Sequence, residues 1–389
     1  MNTPSRCLSR HSRSASAQRG LTLIELMVSL TITLIIVAAL IALYLNVTQT
    51  NREMVKVNRQ IESGRLAVYV LENEVAHAGF WENYMPQFDD LTLTAAPADV
   101  PSGAAPAPCL PYTPVNWTDA YKRSLLDIPV QSYEDIPAGC SAVVTHKKAN
   151  TDVLVVRHAD TCVAVAGGAT NCEADTSGKL YFQSSLCATQ TSSAFELNTA
   201  GFTTILRKDC ATAAFKRKFI SDIYYIRDYA ETIGDGIPTL VRSRFDLVGT
   251  TLAHQDPVPL IEGIEGFRVE LGLDTLGKTG LATNYTETVN WVDASNKTTP
   301  TDRGDGSPDG AFVHCTTGTP CTADQLINAV AVKLHILARS TEASPGHTDS
   351  KTYTLGGATL GPFNDHFKRH VFATTVRLTN VTGRRETPP

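Results

Sequence analysis

The chain has 389 residues, of which 42% are hydrophobic and 19% charged, and its formal net charge is −5. That length allows a sizeable core and more than one structural unit. Residues 1–20 hold four arginines and no acidic residue, so the remainder carries 30 basic against 39 acidic residues. Because phosphate contacts need clustered Lys and Arg, this acidic remainder argues against nucleic-acid binding as the main task.

Residues 26–45 form an apolar run of twenty residues without a charged residue or a histidine. A run of this length matches a hydrocarbon core of about 30 Å at about 1.5 Å rise per residue. A cleavable secretory signal would have a shorter core and an Ala-x-Ala site, and neither is present. We therefore predict one transmembrane segment over 21–45. The arginines that precede it predict a cytoplasmic N-terminus, with the residues after the segment on the other side of the membrane.

The helix is predicted to continue beyond the membrane, because no proline occurs between Pro4 and Pro86. Apolar residues recur at heptad spacing, which predicts an amphipathic segment over 46–79 and a helix that ends at Gly79. A free coiled coil is the alternative, but the short stripe and irregular flanking charges favour packing against a following domain. The stripe consists of Leu40, Val47, Met54, Ile61, Val68 and Val75, with Val57 and Leu71 between them.

Residues 81–118 are rich in proline and alanine, which predicts an extended surface loop. From about residue 140, β-branched and aromatic runs predict strands, and LIEGIEG (residues 260–266) predicts a short helical turn. The predicted fold class is thus α+β, with a long N-terminal helix followed by an antiparallel β-rich domain over 81–389. The strand-like runs are TDVLVVRHA, KFISDIYYIRDYA, PTLVRSRFDLV, GFRVELGLD, NAVAVKLHILARS and HVFATTVRLTNV.

Eight cysteines follow the apolar run, and none of them forms a Cys-x-x-Cys pair. An even number behind an export segment predicts disulfides in an oxidising compartment. Proximity in the sequence favours two short loops and leaves two longer pairs, although sequence alone leaves the connectivity open. The favoured pairs are Cys162–Cys172 and Cys315–Cys321, which leave Cys109–Cys140 and Cys187–Cys210.

No stretch carries a catalytic signature. Residues 304–310, GDGSPDG, resemble a dinucleotide fingerprint but lack a preceding strand and a following helix, and the chain has neither a Gly-x-Ser-x-Gly elbow nor a His-Glu-x-x-His helix. The one metal candidate is calcium at Asp302, Asp305 and Asp309, where an exposed acidic turn is the favoured interpretation because the spacing is not that of an EF-hand. We expect neither enzymatic activity nor a cofactor.

Glu25 is the one acidic residue of the apolar segment. A carboxylate at the centre of a membrane helix costs about 2.5–3.5 kcal/mol, although near the interface the cost is small. If the chain is cut between Gly20 and Leu21, the new amine of Leu21 can be neutralised by Glu25 of a neighbouring copy or homologue. Such a pair tolerates burial better than either charge alone, which would favour lateral assembly in one register.

The stretch RGLTLIELMVSL (residues 19–30) resembles the class III leader and cleavage site of type IV prepilins and type II secretion pseudopilins. The resemblance implies that residues 1–20 are a leader, that a prepilin peptidase cuts after Gly20 and methylates Leu21, and that Glu25 guides assembly. Leu21 departs from the usual Phe but keeps the apolar character.

Four later blocks are similar to the PilW group of minor pilins, which itself resembles the J pseudopilins of type II secretion: YYIRDY with GIPTLVRSRFDL, PLIEGIEGFRVELGLD, AVAVKLHILARS and FKRHVFATTVRLTN. The resemblance implies a pilin-like domain in a minor subunit that primes assembly of a type IV pilus and lies near its tip, with roles in twitching motility and adhesion. The implied partners are other minor pilins, the major pilin, a tip adhesin-like protein, the prepilin peptidase and the inner-membrane assembly platform.

The same resemblance implies a location in the inner membrane as a single-pass protein and then in the pilus. Two alternatives stay open at this point. One is a J-type pseudopilin that caps a secretion pseudopilus, and the other is a membrane-tethered periplasmic enzyme or sensor whose anchor only imitates a prepilin.

Overall fold

A computed structural model describes residues 20, 22–168, 172–191 and 193–386. The chain divides into two compact units after Val55, inside its first helix. Helix α1 spans Leu23–His77, and in the described part of the chain it is the one helix long and apolar enough to cross a membrane. The predicted helix start at Leu21 lies outside the described residues.

The unit from Lys56 onward is dominated by strands. Besides α1 it contains short helices at Asp119–Asp127 (α2), Ala323–Leu326 (α3) and Thr379–Arg385 (α4), with a 3₁₀ turn at Gln87–Asp89. The first eight strands are Val130–Tyr133 (β1), Val153–Ala159 (β2), Tyr181–Ser184 (β3), Phe195–Asn198 (β4), Lys216–Arg227 (β5), Thr239–Val248 (β6), Thr251–His254 (β7) and Val258–Glu262 (β8). The remaining strands are Ile264–Leu273 (β9), Trp291–Asp293 (β10), Thr298–Pro300 (β11), Ala329–Arg339 (β12), Tyr353–Leu355 (β13), Ala358–Leu360 (β14) and Arg369–Arg377 (β15).

Every strand pair in this unit is antiparallel. One sheet has eight strands in the order β1-β2-β5-β3-β4, with β6 beside β5 and with β7 and β8 both paired to β6. A second sheet has the order β15-β12-β9, and β10–β11 and β13–β14 form separate hairpins. The predicted fold class, a long apolar helix followed by an antiparallel β-rich domain, is confirmed.

The packed part of α1 lies against the three-stranded sheet. Leu71 and Val75 are fully buried in one cluster with Leu334 and Ile336 of β12. Gly64 faces Phe372 of β15, where an added Cβ would lie 2.1 Å from the ring atom Cε2. Helix and sheet approach closely at this point because glycine has no side chain.

The predicted heptad stripe is displaced in the structure. Its members Leu71 and Val75 are buried, but Ile61 and Val68 lie at the margins of the contact. The buried face of α1 is formed by Gln60, Gly64, Ala67, Leu71 and Val75. The prediction is wrong for the middle of the stripe because the large side chain at this contact comes from the sheet. The ring of Phe372 lies against Gly64, so the helix contributes small residues there.

The Pro- and Ala-rich stretch at residues 93–114 contains no helix or strand and lies mostly at the surface, as predicted. Side chains on either side of it belong to the core: Phe88 is buried in the same cluster as Leu71, and Trp117 is buried among the aromatic residues of a second cluster. One further prediction is wrong. The stretch LIEGIEG forms no helical turn. It contains the end of β8 and the start of β9, which meet at Gly263 with φ +78°, a left-handed conformation that glycine adopts without strain.

Candidate assembly site

Glu25 lies in the first turn of α1 and hydrogen-bonds Thr22. The backbone N–H and the hydroxyl of Thr22 both donate to Oε2 of Glu25, at 3.1 and 3.0 Å, and the N–H of Glu25 lies 3.4 Å from Oγ1 of Thr22. This reciprocal arrangement is a capping box, which satisfies amide groups that a helix start leaves without partners.

The two oxygens of Glu25 differ in their contacts. Both bonds from Thr22 end on Oε2, and within the described residues Oε1 has no hydrogen-bond partner. Gly20 is exposed and has no atom within 4 Å of where a Cβ would stand, while Leu21 lies outside the described residues. One carboxylate oxygen of Glu25 is therefore open to a donor from another molecule.

Residues 26–45 of α1 expose large apolar side chains. Leu34 and Ile35 are 61% and 69% exposed, and the Ser and Thr hydroxyl groups of this segment donate to carbonyls of the same helix. Thr31 donates to the carbonyl of Val28, for example, at 2.8 Å. The same pattern holds for Ser29, Thr33, Thr48 and Thr50, which donate to carbonyls three or four residues earlier. Such a surface matches lipid or other apolar helices.

The end of α1 is fixed by side chains of the β-rich unit. Nδ2 of Asn380 lies 3.2, 3.3 and 3.2 Å from the carbonyl oxygens of Ala76, His77 and Ala78. Gly79 then adopts φ +73° and donates its N–H to the carbonyl of Arg157 at 3.0 Å. Helix ends leave carbonyls without partners, and Asn380 supplies the missing donor.

A buried arginine organises the start of β15. Arg369 donates to Glu265 at 2.6 Å, to Asp349 at 2.8 Å and to both oxygens of Asp365 at 2.6 and 2.7 Å. These hydrogen bonds hold the pKa of the Asp365 carboxyl below its usual value. The cluster fixes the strand that carries Phe372 toward α1.

Four disulfides join the loops of the β-rich unit: Cys109–Cys140, Cys162–Cys172, Cys187–Cys210 and Cys315–Cys321. Cys162–Cys172 and Cys315–Cys321 are the pairs that proximity in the sequence favours, and the other two are the pairs that it leaves. Cys140 is fully buried beneath the larger sheet, so the first of them ties the loop after the 3₁₀ turn to a core cluster.

The calcium candidates are engaged in protein contacts. Asp302 accepts hydrogen bonds from Asn290 and pairs with Arg303 at 3.0 Å. Asp305 accepts from the N–H of Ser307, and Asp309 accepts from the N–H groups of Thr275 and Leu276. Within the described ranges, no group of three or more His, Cys, Asp or Glu side chains is arranged to hold a metal ion.

Sequence reasoning about Glu25 missed one feature that the residues themselves contain. Thr22-Leu23-Ile24-Glu25 is a Thr-x-x-Glu motif directly before an apolar run, which is the signature of a capping box. Glu25 therefore has a local structural role in addition to any role in assembly.

Residues 15–41 match the family model described as prokaryotic N-terminal methylation motif, and residues 223–380 match the model described as type IV pilus-assembly protein W. No curated protein matches the chain. A type IV-like pilin from Thermus thermophilus shares 12% identity at a TM-score of 0.29, over 83% of this chain and 97% of that chain.

This structural likeness is distant, and the fold class rests on the helix and the sheets described above. The methylation motif and the apolar helix are consistent with membrane anchoring and association with a pilus. The resemblance predicted from the sequence is confirmed: residues 223–380 match the model of type IV pilus-assembly protein W, and they follow an N-terminal methylation motif at residues 15–41.

Proposed function

We propose that the protein is a minor pilin that helps prime assembly of a type IV pilus and lies near its tip. Before assembly it spans the inner membrane with its N-terminus in the cytoplasm, and prepilin peptidase removes residues 1–20 and methylates Leu21. The observation that carries this proposal is a methylation motif at the start of an exposed apolar helix, followed by a PilW region in a β-rich unit. The partners would be other minor pilins, the major pilin, a tip adhesin-like protein and the assembly platform.

In this proposal Glu25 pairs with the amine of Leu21 on a neighbouring subunit. Its Oε2 keeps the two bonds from Thr22, and Oε1 receives the amine. A charge-assisted hydrogen bond of this kind is about twice as strong as a neutral one. Capping and assembly can thus use the same carboxylate at the same time, with one oxygen each.

The mature N-terminus tests the proposal most directly. Mass spectrometry of the protein from cells with prepilin peptidase should show a methylated chain that begins at Leu21, and deletion of the peptidase should leave residues 1–20 attached. A chain that keeps residues 1–20 in both strains would contradict the pilin function and favour a tethered enzyme or sensor.

Two variants of Glu25 separate charge from capping. Glu25→Ala removes both, whereas Glu25→Gln retains a capping-box side chain and removes only the charge. Both should insert in the membrane and both should reduce incorporation into filaments, as measured by immunoblots of sheared pili. Normal incorporation of Glu25→Gln together with loss in Glu25→Ala would show that capping alone matters.

A further inference from the structure

A cleft of about 240 Å³ lies beside the first turns of α1 in the β-rich unit. Its apolar floor is formed by Val57 and Ile61 of the helix, and its walls include His347, Lys351, Tyr353 and His370. The cleft therefore combines an apolar base with nitrogen-bearing side chains on a unit whose overall charge is negative.

The acidic groups next to the cleft are already engaged by Arg369. Glu265 lies in addition 3.5 Å from Arg339 and 3.8 Å from Lys148. Asp349, which is 1% exposed, accepts hydrogen bonds from Arg369 at 2.8 Å and from the Tyr353 hydroxyl at 2.9 Å. Asp365 and Glu265 are held by the same guanidinium. No carboxylate of the walls is left to compensate a cation in the cleft.

The nitrogen-bearing side chains of the cleft, by contrast, are not all engaged in hydrogen bonds or ion pairs with the described residues. Lys351 is exposed and forms no ion pair within the residues that the structure describes. Nε2 of His347 is buried and, among these residues, has no hydrogen-bond partner. His370 is exposed, with its ring 4.8 Å from that of Phe372. Because Nε2 of His347 has almost no accessible surface, the nitrogen groups that a ligand in the cleft can reach are those of Lys351 and His370.

We propose that this cleft binds an acidic side chain of a neighbouring protein, with the carboxylate beside Lys351 and His370 and an adjacent apolar side chain over Val57 and Ile61. Charge complementarity favours a carboxylate, and the apolar floor favours an apolar side chain next to that carboxylate. A concave site of this size fits a protruding side chain better than the flat surface of a membrane. That the neighbour is another pilus subunit rests on the proposed function, whereas the preference for a carboxylate does not.

The test is a titration of the full chain, purified in detergent micelles with isotopically labelled histidine. The probes are the peptides acetyl-Leu-Glu-Glu-Leu-amide and acetyl-Leu-Gln-Gln-Leu-amide. We expect saturable NMR shifts of His347 and His370 with the glutamate peptide only, weakened by added salt. Equal binding of both peptides, or no saturable shift, would overturn the proposal.

A charge reversal and its matched control complete the test. Lys351→Glu should weaken binding of the glutamate peptide about tenfold, since it replaces an attraction by a repulsion. Lys297→Glu makes the same change at an exposed turn between β10 and β11 and should alter the affinity less than twofold. Equal losses of affinity in the two variants would show that the effect comes from the net charge of the protein, and this would contradict a site in the cleft.

Short-chain phosphatidylglycerol added to the micelles tests a lipid headgroup as the ligand. If it displaces the glutamate peptide at a lower concentration than unlabelled glutamate peptide does, the site recognises lipid, and this result would also overturn the proposal. The titration uses a synthetic peptide and purified protein, so its result is independent of N-terminal processing. The proposed pilus function and this binding site can thus fail separately.

Discussion

The two parts of α1 have opposite surroundings. Before Val55 the helix exposes large apolar side chains, with Leu34 at 61%, whereas after Lys56 it buries Ala67 and Leu71 completely against the sheet. The exposed part is rich in bulky residues, and the buried face of the packed part is formed largely by small or medium ones. The bulky apolar residues of this helix therefore face an environment other than the core of their own chain.

The largest effect is expected at the strand that receives the packed part of α1. Arg369→Met should lower the free energy of unfolding by about 3–5 kcal/mol at pH 7, because Glu265, Asp349 and Asp365 would lose their common cation. Urea unfolding of the full chain in micelles, followed by near-ultraviolet circular dichroism, measures it. Arg377→Met, on the exposed end of the same strand, should cost less than about 0.5 kcal/mol.

The same variant predicts a pH dependence. In the native protein the pKa of Asp365 is lowered, so its stabilising contribution is present above the unfolded pKa and is lost as the pH falls through the folded pKa. Without Arg369, burial instead favours the protonated acids. The stability difference between Arg369→Met and the native chain should therefore shrink from pH 7 to pH 4; a constant difference would contradict the role of the ion pairs.

Leu71→Ala tests the packed part of the helix itself. Removal of a fully buried leucine should cost about 2–5 kcal/mol in the urea experiment. Leu34→Ala makes the same substitution in the exposed part and should leave unfolding of the β-rich unit within about 0.5 kcal/mol. Similar costs in the two variants would break the comparison between the two parts of α1.

Gly64→Ala tests the close approach of helix and sheet. An added Cβ would lie 2.1 Å from Cε2 of Phe372, so the ring must move, and we expect a cost of about 1–3 kcal/mol despite the better helix propensity of alanine. The second substitution Phe372→Leu should remove part of this cost in a double-mutant cycle. Strict additivity of the two changes would show that the clash does not limit stability.

The smallest effect is expected at the helix end. Asn380→Ala removes the donor to the carbonyls of Ala76, His77 and Ala78 and should cost about 1 kcal/mol. Asn58→Ala, at an exposed position of α1, serves as the matched control and should be near neutral. Equal stabilities of the two variants would mean that water replaces the cap without loss.

Much of this architecture follows from pattern. The β-branched and apolar content of NAVAVKLHILARS and TDVLVVRHA identifies β12 and β2, and the twenty uncharged residues before Asn46 identify the apolar part of α1. What pattern did not reveal is set by partners distant in sequence. The close approach of helix and sheet at Gly64 depends on Phe372, and the burial of Phe88 depends on strands more than a hundred residues later.

The buried ion pairs could not be predicted from the sequence for the same reason. Arg369 lies in a run that reads as a half-exposed strand, and only the fold brings Glu265, Asp349 and Asp365 to it. The capping box at Thr22 and Glu25 is a different case, because its signal is local and could have been found from four residues.

The hydroxyl groups of the apolar part of α1 bear on how such a helix can leave a membrane. Ser29, Thr31 and Thr33 donate to carbonyls of their own helix, so they need no partner from lipid, water or protein. Transfer from a bilayer to a bundle of similar helices would exchange one apolar medium for another without breaking these bonds. In the proposed assembly, the free-energy difference between the two media then rests mainly on the pairing of Glu25 with the amine of Leu21 on a neighbouring subunit.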